Sequence, residues 1–249
     1  AATVAKLLGE RHNITIILGG IAPRIKDFWD IKRRKMKLVG QKRFPKLDIH
    51  LDPPFFLKDE PNFRIIELLK NQPKGRKVLF FLNRKGAGEI SICRDCGNLL
   101  RCHHCQTVQL LSDTRCRYCR TVYEMLSVCP YCQSANLQAH GIGTRKLLGI
   151  LRHSLPKYRY GLLEESKEEK LDADILISTS AIFSYPKLLA SFQRIIVIGI
   201  EYSLHLPDFA NLEELFLQFL KLGSQRVPLY VETQTPDHPI FRYLRSAPH

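Results

Sequence analysis

The chain has 249 residues, of which 45% are hydrophobic, and its 38 Lys or Arg and 24 Asp or Glu give a net charge of +14. This length and apolar content are enough for one or two domains with a real core, and no apolar run approaches the length of a membrane span. The basic balance favours a polyanionic partner, most often nucleic acid, although a basic protein at a membrane surface or on the ribosome would share it.

The first part of the chain combines short apolar runs with a dense basic segment. Residues 1–11 predict a short helix, and the β-branched run 14–18 predicts a buried strand that ends at Gly19 and Gly20. Residues 24–46 hold ten Lys or Arg and two Asp. This segment is either the solvated face of an amphipathic helix or a surface that contacts phosphates. Its candidate DNA contacts are Arg24, Lys26, Lys32, Arg33, Arg34, Lys35 and Lys37.

A proline-rich stretch separates the basic segment from a second apolar region. Residues 45–61 predict a linker, and residues 63–71 predict a helix because their apolar residues have helical spacing. The apolar run 77–82 predicts a core strand. Arg84 and Lys85 follow it and are further candidate DNA contacts, because they lie next to a cysteine-rich segment.

All eight cysteines lie in that segment as four Cys-x-x-Cys pairs. The pairs are Cys93/Cys96, Cys102/Cys105, Cys116/Cys119 and Cys129/Cys132. Each such turn aims two thiolates at one point, so four turns complete two tetrahedral four-cysteine sites of the structural zinc type. Four disulfides of a secreted mini-domain are disfavoured, because the rest of this long chain lacks cysteine and no signal peptide opens it. We therefore predict two Zn²⁺ ions, a net charge reduced from +14 to +10, and a reducing intracellular compartment.

The spacers bear on which pairs share an ion. Residues 106–115 have β-formers on either side of a Ser-Asp turn, and a hairpin there would bring the second pair against the third. This predicts a nested arrangement, in which the first and fourth pairs close the outer site. A cross-braced arrangement, first with third and second with fourth, stays open. His103 and His104 could replace a ligand, but with eight thiolates at hand we expect them off the metal.

Strands and helices alternate through the remainder of the chain. The predicted elements are a helix over 146–155, strands over 175–178 and 194–199, a helix over 212–222 capped by Asn211, a strand over 229–233 and a helix over 238–244. This alternation predicts an α/β fold with a mostly parallel sheet, into which the cysteine segment is inserted.

Several of these segments together resemble the PriA family of bacterial replication-restart helicases. The family's pattern is matched by Lys-Val-Leu-Phe-Phe-Leu-Asn-Arg-Lys-Gly at 77–86, the four cysteine pairs, and Gly-x-Gly-Thr at 141–144. Segments similar to its second helicase lobe follow in the same order at 173–179, 206–209 and 232–239. Residues 16–23 resemble the end of its first lobe.

The resemblance implies RecA-like superfamily-2 helicase lobes, zinc in the nested arrangement, and forked or single-stranded DNA as the ligand. It also implies primosome or single-strand-binding proteins as partners, and a location in the bacterial cytoplasm rather than in a membrane. The domains expected on this basis are 1–45, a remnant of the end of lobe 1 with the basic segment; 46–90, the start of lobe 2; 91–140, the zinc-binding insertion; and 141–249, the remainder of lobe 2.

The chain departs from the family where ATP chemistry is expected. Residues 19–23 are Gly-Gly-Ile-Ala-Pro instead of Gly-Ser-Ala-Thr-Pro, and residues 178–184 lack the family's Gly-Thr-Gln-Met. Residues 221–226 are Lys-Leu-Gly-Ser-Gln-Arg where the family has Gly-Arg-Ala-Gly-Arg. The sequence also has no phosphate-binding loop and no acidic box, both of which ATP hydrolysis needs.

We therefore predict a zinc-stabilised, helicase-derived DNA-binding segment of a degenerate or truncated PriA-like protein, without ATPase activity of its own. One alternative is the C-terminal half of an active ATP-dependent 3′-5′ DNA helicase whose N-terminal half is absent. Another is a zinc-dependent protein-interaction scaffold in primosome assembly.

Overall fold

The computed structural model describes most of the chain in two compact units, Ala1–Phe44 and Pro45–His249. The described residues are 2–20, 22–40, 47–52, 56–57, 60–61, 63–71, 73, 75–83, 90–109, 114–116, 118–122, 126–140, 143–164, 167–169, 171–206 and 208–245.

The first unit contains two helices, α1 (Ala2–His12) and α2 (Ile25–Lys32). The strand predicted over 14–18 is wrong, because these residues are irregular and exposed, with Ile17 89% exposed. A strand needs a neighbour for its N–H and C=O groups, and the described part of this unit contains no strand that could pair with it. An apolar run predicts burial, but it does not show whether a neighbouring strand is available for pairing.

The second unit is built on eleven strands and six α-helices among its described residues. The strands are β1 (Ile49–Asp52), β2 (Phe56–Leu57), β3 (Glu60–Pro61), β4 (Val78–Leu82), β5 (Ile90–Cys93), β6 (Leu137–His140), β7 (Tyr160–Glu164), β8 (Lys167–Glu169), β9 (Ile175–Ser178), β10 (Arg194–Ile198) and β11 (Leu229–Glu232). The helices are α3 (Phe63–Lys70), α4 (Thr144–Ser154), α5 (Pro186–Leu189), α6 (Glu201–His205), α7 (Phe209–Gly223) and α8 (Pro239–Arg245), with a 3₁₀ helix at Ser180–Ser184.

Seven of the strands form one sheet in the order β1-β11-β10-β4-β9-β7-β8. Every neighbouring pair is parallel except β7 and β8, which are antiparallel. The predicted α/β fold with a mostly parallel sheet is therefore confirmed.

The core surrounds the central strands of this sheet. All five residues of β4 and all four of β9 are buried, as expected for parallel strands covered on both faces. On one face, Leu69 of α3 and Leu147 of α4 belong to the same buried cluster as Phe80 of β4. Helices α3 and α4 are amphipathic, so their apolar stripes cover this face.

The edge strand β1 lies within the stretch predicted as a linker, so that part of the prediction is wrong. Its residues pair in parallel with β11, in the register Ile49 with Leu229. Proline is disfavoured inside a sheet because it lacks an N–H donor. Here Pro53 and Pro54 follow the strand and do not interrupt it.

Helix α7 begins earlier than predicted, and its cap is a different residue. The Asp208 carboxylate accepts a hydrogen bond from the Ala210 N–H at 2.9 Å, which satisfies one free donor of the first turn. Asn211, the predicted cap, is buried inside the helix and donates to the Ser203 carbonyl at 2.9 Å. Asp and Asn are both common at helix N-caps, so the sequence pattern alone does not distinguish Asp208 from Asn211 as the cap.

The cysteine segment leaves and re-enters the second unit through a two-stranded antiparallel ribbon. Strand β5 pairs with β6 in the register Ile90 with His140 and Cys93 with Leu137. This pairing holds the two ends of the cysteine segment side by side. The residues between β5 and β6 therefore form an insertion that leaves and rejoins the second unit at one place. Across the described part of the chain, no helix is both long enough and apolar enough to cross a membrane.

Candidate metal centre

The four Cys-x-x-Cys pairs share one backbone turn. In each turn the N–H of the first cysteine donates to the carbonyl five residues later, and its own carbonyl accepts from the N–H four residues later, at 2.7 to 3.0 Å. The residue at the fourth position after the first cysteine has a positive φ in every turn: Gly97 (74°), Gln106 (59°), Arg120 (64°) and Gln133 (62°). Non-glycine residues adopt this conformation only where the surroundings fix it, so the turns are specific structures.

The eight sulfur atoms form two groups of four. The outer group is Cys93, Cys96, Cys129 and Cys132, and the inner group is Cys102, Cys105, Cys116 and Cys119. Within each group all four sulfur atoms lie within 4.8 Å of one another. This is the nested arrangement, and the cross-braced one is not what the fold brings together. Neither His103 nor His104 belongs to a group.

The distances between sulfur atoms fit a tetrahedral metal. They are 3.5 Å for Cys93–Cys132, 3.7 Å for Cys96–Cys129, 3.7 Å for Cys102–Cys119 and 3.6 Å for Cys105–Cys116. Four thiolates bound to zinc at about 2.3 Å form a tetrahedron with edges of about 3.8 Å. The two groups are therefore positioned to hold one metal ion each.

Side chains next to the cysteines favour the thiolate form. In three turns, the residue two positions after the second cysteine reaches its sulfur: Asn98 to Cys96 at 3.4 Å, Thr107 to Cys105 at 3.1 Å and Thr121 to Cys119 at 3.1 Å. The Thr121 side chain is the main cause that lowers the pKa of Cys119 to about 5. The backbone N–H of Asn98 contributes most to lowering the pKa of Cys96 to about 6. Each group also contains a cysteine whose pKa is raised, and burial raises that of Cys116 to about 11. Metal ligation requires the deprotonated form of all four cysteines, so metal binding would release protons.

A polar brace joins the first and fourth turns. The Asp95 carboxylate accepts hydrogen bonds from the Ser134 hydroxyl and, at 2.9 Å, from the Asn136 side chain. These two bonds, that of Ser134 first, lower the pKa of Asp95. Sequence reasoning missed this brace, since its two sides lie about forty residues apart and no local pattern marks them.

The cysteine segment packs against helix α6 of the second unit. Leu99 and Val108 form a small buried cluster with Ile92 and with Tyr202 of that helix. Beside it, the Arg101 guanidinium lies 3.3 Å from the His205 ring. Arg101 directly precedes Cys102, so the inner group is only one residue along the chain from a contact with α6.

Glu201 of α6 links His205 to the loop that follows β11 at the carboxyl edge of the sheet. The Glu201 carboxylate lies 3.5 Å from His205 and accepts a hydrogen bond from the Gln234 N–H at 2.7 Å. Burial alone would raise the pKa of Glu201, but the nearby His205 ring and the hydrogen bonds from Thr233 and Gln234 lower it below its ordinary value. A buried charge of this kind holds α6 to the loop after β11.

The described part of the basic segment, residues 24–40, belongs to the first unit. Lys26 and Lys32 lie in α2, which Arg24 precedes and Arg33 follows, while Arg34, at a φ of 58°, ends the helical path. Lys35 and Lys37 come next in the chain. The other two candidate DNA contacts, Arg84 and Lys85, lie outside the described residues.

The two acidic residues of the basic segment are already neutralised. Lys6 of α1 lies 2.7 Å from the Asp27 carboxylate and 2.9 Å from that of Asp30. The hydrogen bond from Lys6 is the main cause that lowers the pKa of Asp30. The lysine and arginine side chains of the segment far outnumber these two carboxylates, so most of its positive charge is uncompensated within the segment.

No protein-family model matches the chain. It is similar to the replication restart protein PriA of Bacillus subtilis, at 24% identity over 96% of the chain and 34% of that protein. The PriA proteins of Haemophilus influenzae (24% identity, 98% of the chain, 37% of that protein) and Chlamydia trachomatis (27% identity, 94% of the chain, 36% of that protein) are similar too. The chain is therefore similar to about a third of PriA.

This similarity to PriA covers almost the whole chain, so both units and the cysteine segment between β5 and β6 fall within it. The chain spans only about a third of the length of these relatives. The resemblance to PriA seen in the sequence is thus confirmed.

Proposed function

We propose that the chain is a zinc-stabilised, helicase-derived DNA-binding segment of a PriA-like replication-restart protein. Its two metal ions are structural, because four cysteines close each site and leave no position for water. Its ligand is forked or single-stranded DNA, and it works in the cytoplasm alongside primosome or single-strand-binding proteins. In this proposal, residues 91–140 form a zinc-binding insertion in a second, RecA-like helicase lobe over 46–90 and 141–249, and residues 1–45 are the remnant of a first lobe.

The observation that carries DNA binding is the uncompensated charge of the basic segment. Residues 24–46 have a net charge of +8, and their two carboxylates are held by Lys6. Lysine and arginine side chains that contact phosphates release counterions, so the binding constant falls steeply as salt is added. Equilibrium binding of the whole chain to DNA over a range of salt concentrations tests this. Salt-independent binding, or none, would contradict it.

Lys221 supports the loss of the ATP site. It lies in the segment that replaces the family's Gly-Arg-Ala-Gly-Arg, and its ammonium group lies 4.9 Å from the centre of the Phe183 ring. Phe183 in turn lies in the segment that lacks Gly-Thr-Gln-Met. Two altered segments therefore contact each other, and a cation that could reach a phosphate is engaged with an aromatic ring.

We expect no ATP hydrolysis by this chain, with or without DNA, because its sequence has neither a phosphate-binding loop nor the acidic box whose carboxylate would hold magnesium. A steady-state hydrolysis assay measures this, with the Lys221→Ala variant as the control for a contaminating enzyme. DNA-stimulated turnover that persists through repurification and disappears in the variant would contradict the inferred loss of the ATP site.

A protein-interaction scaffold is the second candidate function. The cysteine turns expose large apolar side chains, among them Tyr118, Val122 and Tyr131. Exposed apolar groups on a rigid module are typical of protein-binding surfaces. Weak DNA binding together with tight binding to a replication protein would favour this function over the first.

A further inference from the structure

Two exposed aromatic rings lie on one face of helix α2. Phe28 is 49% exposed and Trp29 is 55% exposed, and no residue of this short helix is buried. Large apolar side chains are normally buried in a core, but both of these rings are exposed to solvent. Adjacent exposed rings are a feature of binding surfaces.

Cations lie over both rings. The Lys32 ammonium group is 5.5 Å from the centre of the Phe28 ring and 5.8 Å from that of Trp29, and the Arg33 guanidinium is 5.8 Å from the Trp29 ring. In the described part of the chain, neither cation has a carboxylate within ion-pair distance. The rings and the positive charges therefore form one surface.

The acidic residues of α2 lie on its other face. At 100° per residue, Phe28, Trp29 and Lys32 fall within about a third of the helix circumference, and Asp27 and Asp30 fall opposite them. Both carboxylates bind Lys6 of α1. The aromatic face is thus free of the negative charge that would repel a polyanion.

We propose that this face binds single-stranded DNA by stacking unpaired bases on Phe28 and Trp29, while Lys32 and Arg33 contact the flanking phosphates. The inference rests on the proposed DNA binding by the basic segment and adds the kind of DNA and the stacking residues. Every base has an aromatic face, so the preference is for unpaired strands and not for a sequence. In a duplex the base faces are covered by their neighbours, and the rings have no access to them.

Trp29 is the single tryptophan of the chain, so its fluorescence reports on this face alone. We expect quenching when the full chain is titrated with oligothymidylate, and little change with a duplex of the same length at equal occupancy. The Phe28→Leu/Trp29→Leu variant should bind the single strand at least about tenfold more weakly, because two stacked bases together contribute about that much or more. Its salt dependence should stay close to that of the parent, since its lysine and arginine side chains still reach the phosphates.

The matched control is Trp29→Phe, which keeps a ring and should keep most of the preference for single strands. The stacking inference is overturned if the double leucine variant binds the single strand as the parent does, or loses single-strand and duplex binding equally. If that happens while the variant with residues 32–35 replaced by alanine still loses binding, the stacking proposal is contradicted and the proposed phosphate binding is supported. If neither variant changes binding, the proposed DNA binding by this segment falls as well.

Discussion

Replacing the four consecutive basic residues 32–35 with alanine is expected to weaken binding to every DNA sequence alike, by roughly tenfold or more at low salt. The variant is Lys32→Ala/Arg33→Ala/Arg34→Ala/Lys35→Ala. Bonds to phosphates carry no sequence information, so the weakening should be uniform. The slope of log K against log salt should flatten by roughly one unit for each phosphate that the variant no longer neutralises.

The matched control removes the same charge from the second unit. Arg145→Ala/Lys146→Ala/Arg152→Ala/Lys157→Ala changes four basic residues, all of them exposed on or just after α4. Fluorescence anisotropy with forked, single-stranded and duplex DNA gives both the affinity and the salt slope. If both variants lose binding to the same extent, the net charge matters and the position does not. If only the control loses binding, the DNA-binding surface lies elsewhere.

Loss of one buried cysteine is expected to abolish one metal site and to unfold the turns around it. Cys102→Ser removes a fully buried cysteine of the inner group. Binding of a structural zinc contributes on the order of 10 kcal/mol to the folding of small zinc modules, so a defective site should not hold its turns together. Circular dichroism and the metal content of the purified chain measure the effect. The control is His103→Ala, an exposed neighbour outside both groups, which should keep both ions.

Pairs of cysteine variants separate the two arrangements left open by the sequence. In the nested arrangement Cys102 and Cys119 share an ion, so Cys102→Ser/Cys119→Ser should lose one ion and keep the other. Cys102→Ser/Cys129→Ser should lose both, because these cysteines belong to different groups. A cross-braced protein would give the opposite pair of results.

Local patterns predicted those parts of the fold whose cause is local. Strand β9 (Ile175–Ser178) was predicted with its full bounds, because a strand buried on both faces is a continuous apolar run. The cysteine pairs are equally local, since the Cys-x-x-Cys spacing itself forms the turn that aims two sulfur atoms at one point.

The features that the sequence did not predict depend on distant parts of the chain. Strand β1 exists because β11, far along the sequence, offers it a pairing edge, while residues 14–18 lack such an edge among the described residues and stay irregular. The contact of Arg101 with His205 joins residues 104 positions apart. Neither composition nor periodicity encodes such pairings.

The number of metal ions in the native chain, measured by mass spectrometry under non-denaturing conditions, tests the metal-stabilised module most directly. Eight cysteines in two closed groups of four predict two zinc ions per chain, and the mass should fall by both when a chelator is added in acid. One ion, none, or eight cysteines found in disulfides would contradict the metal-stabilised module on which the proposed function rests.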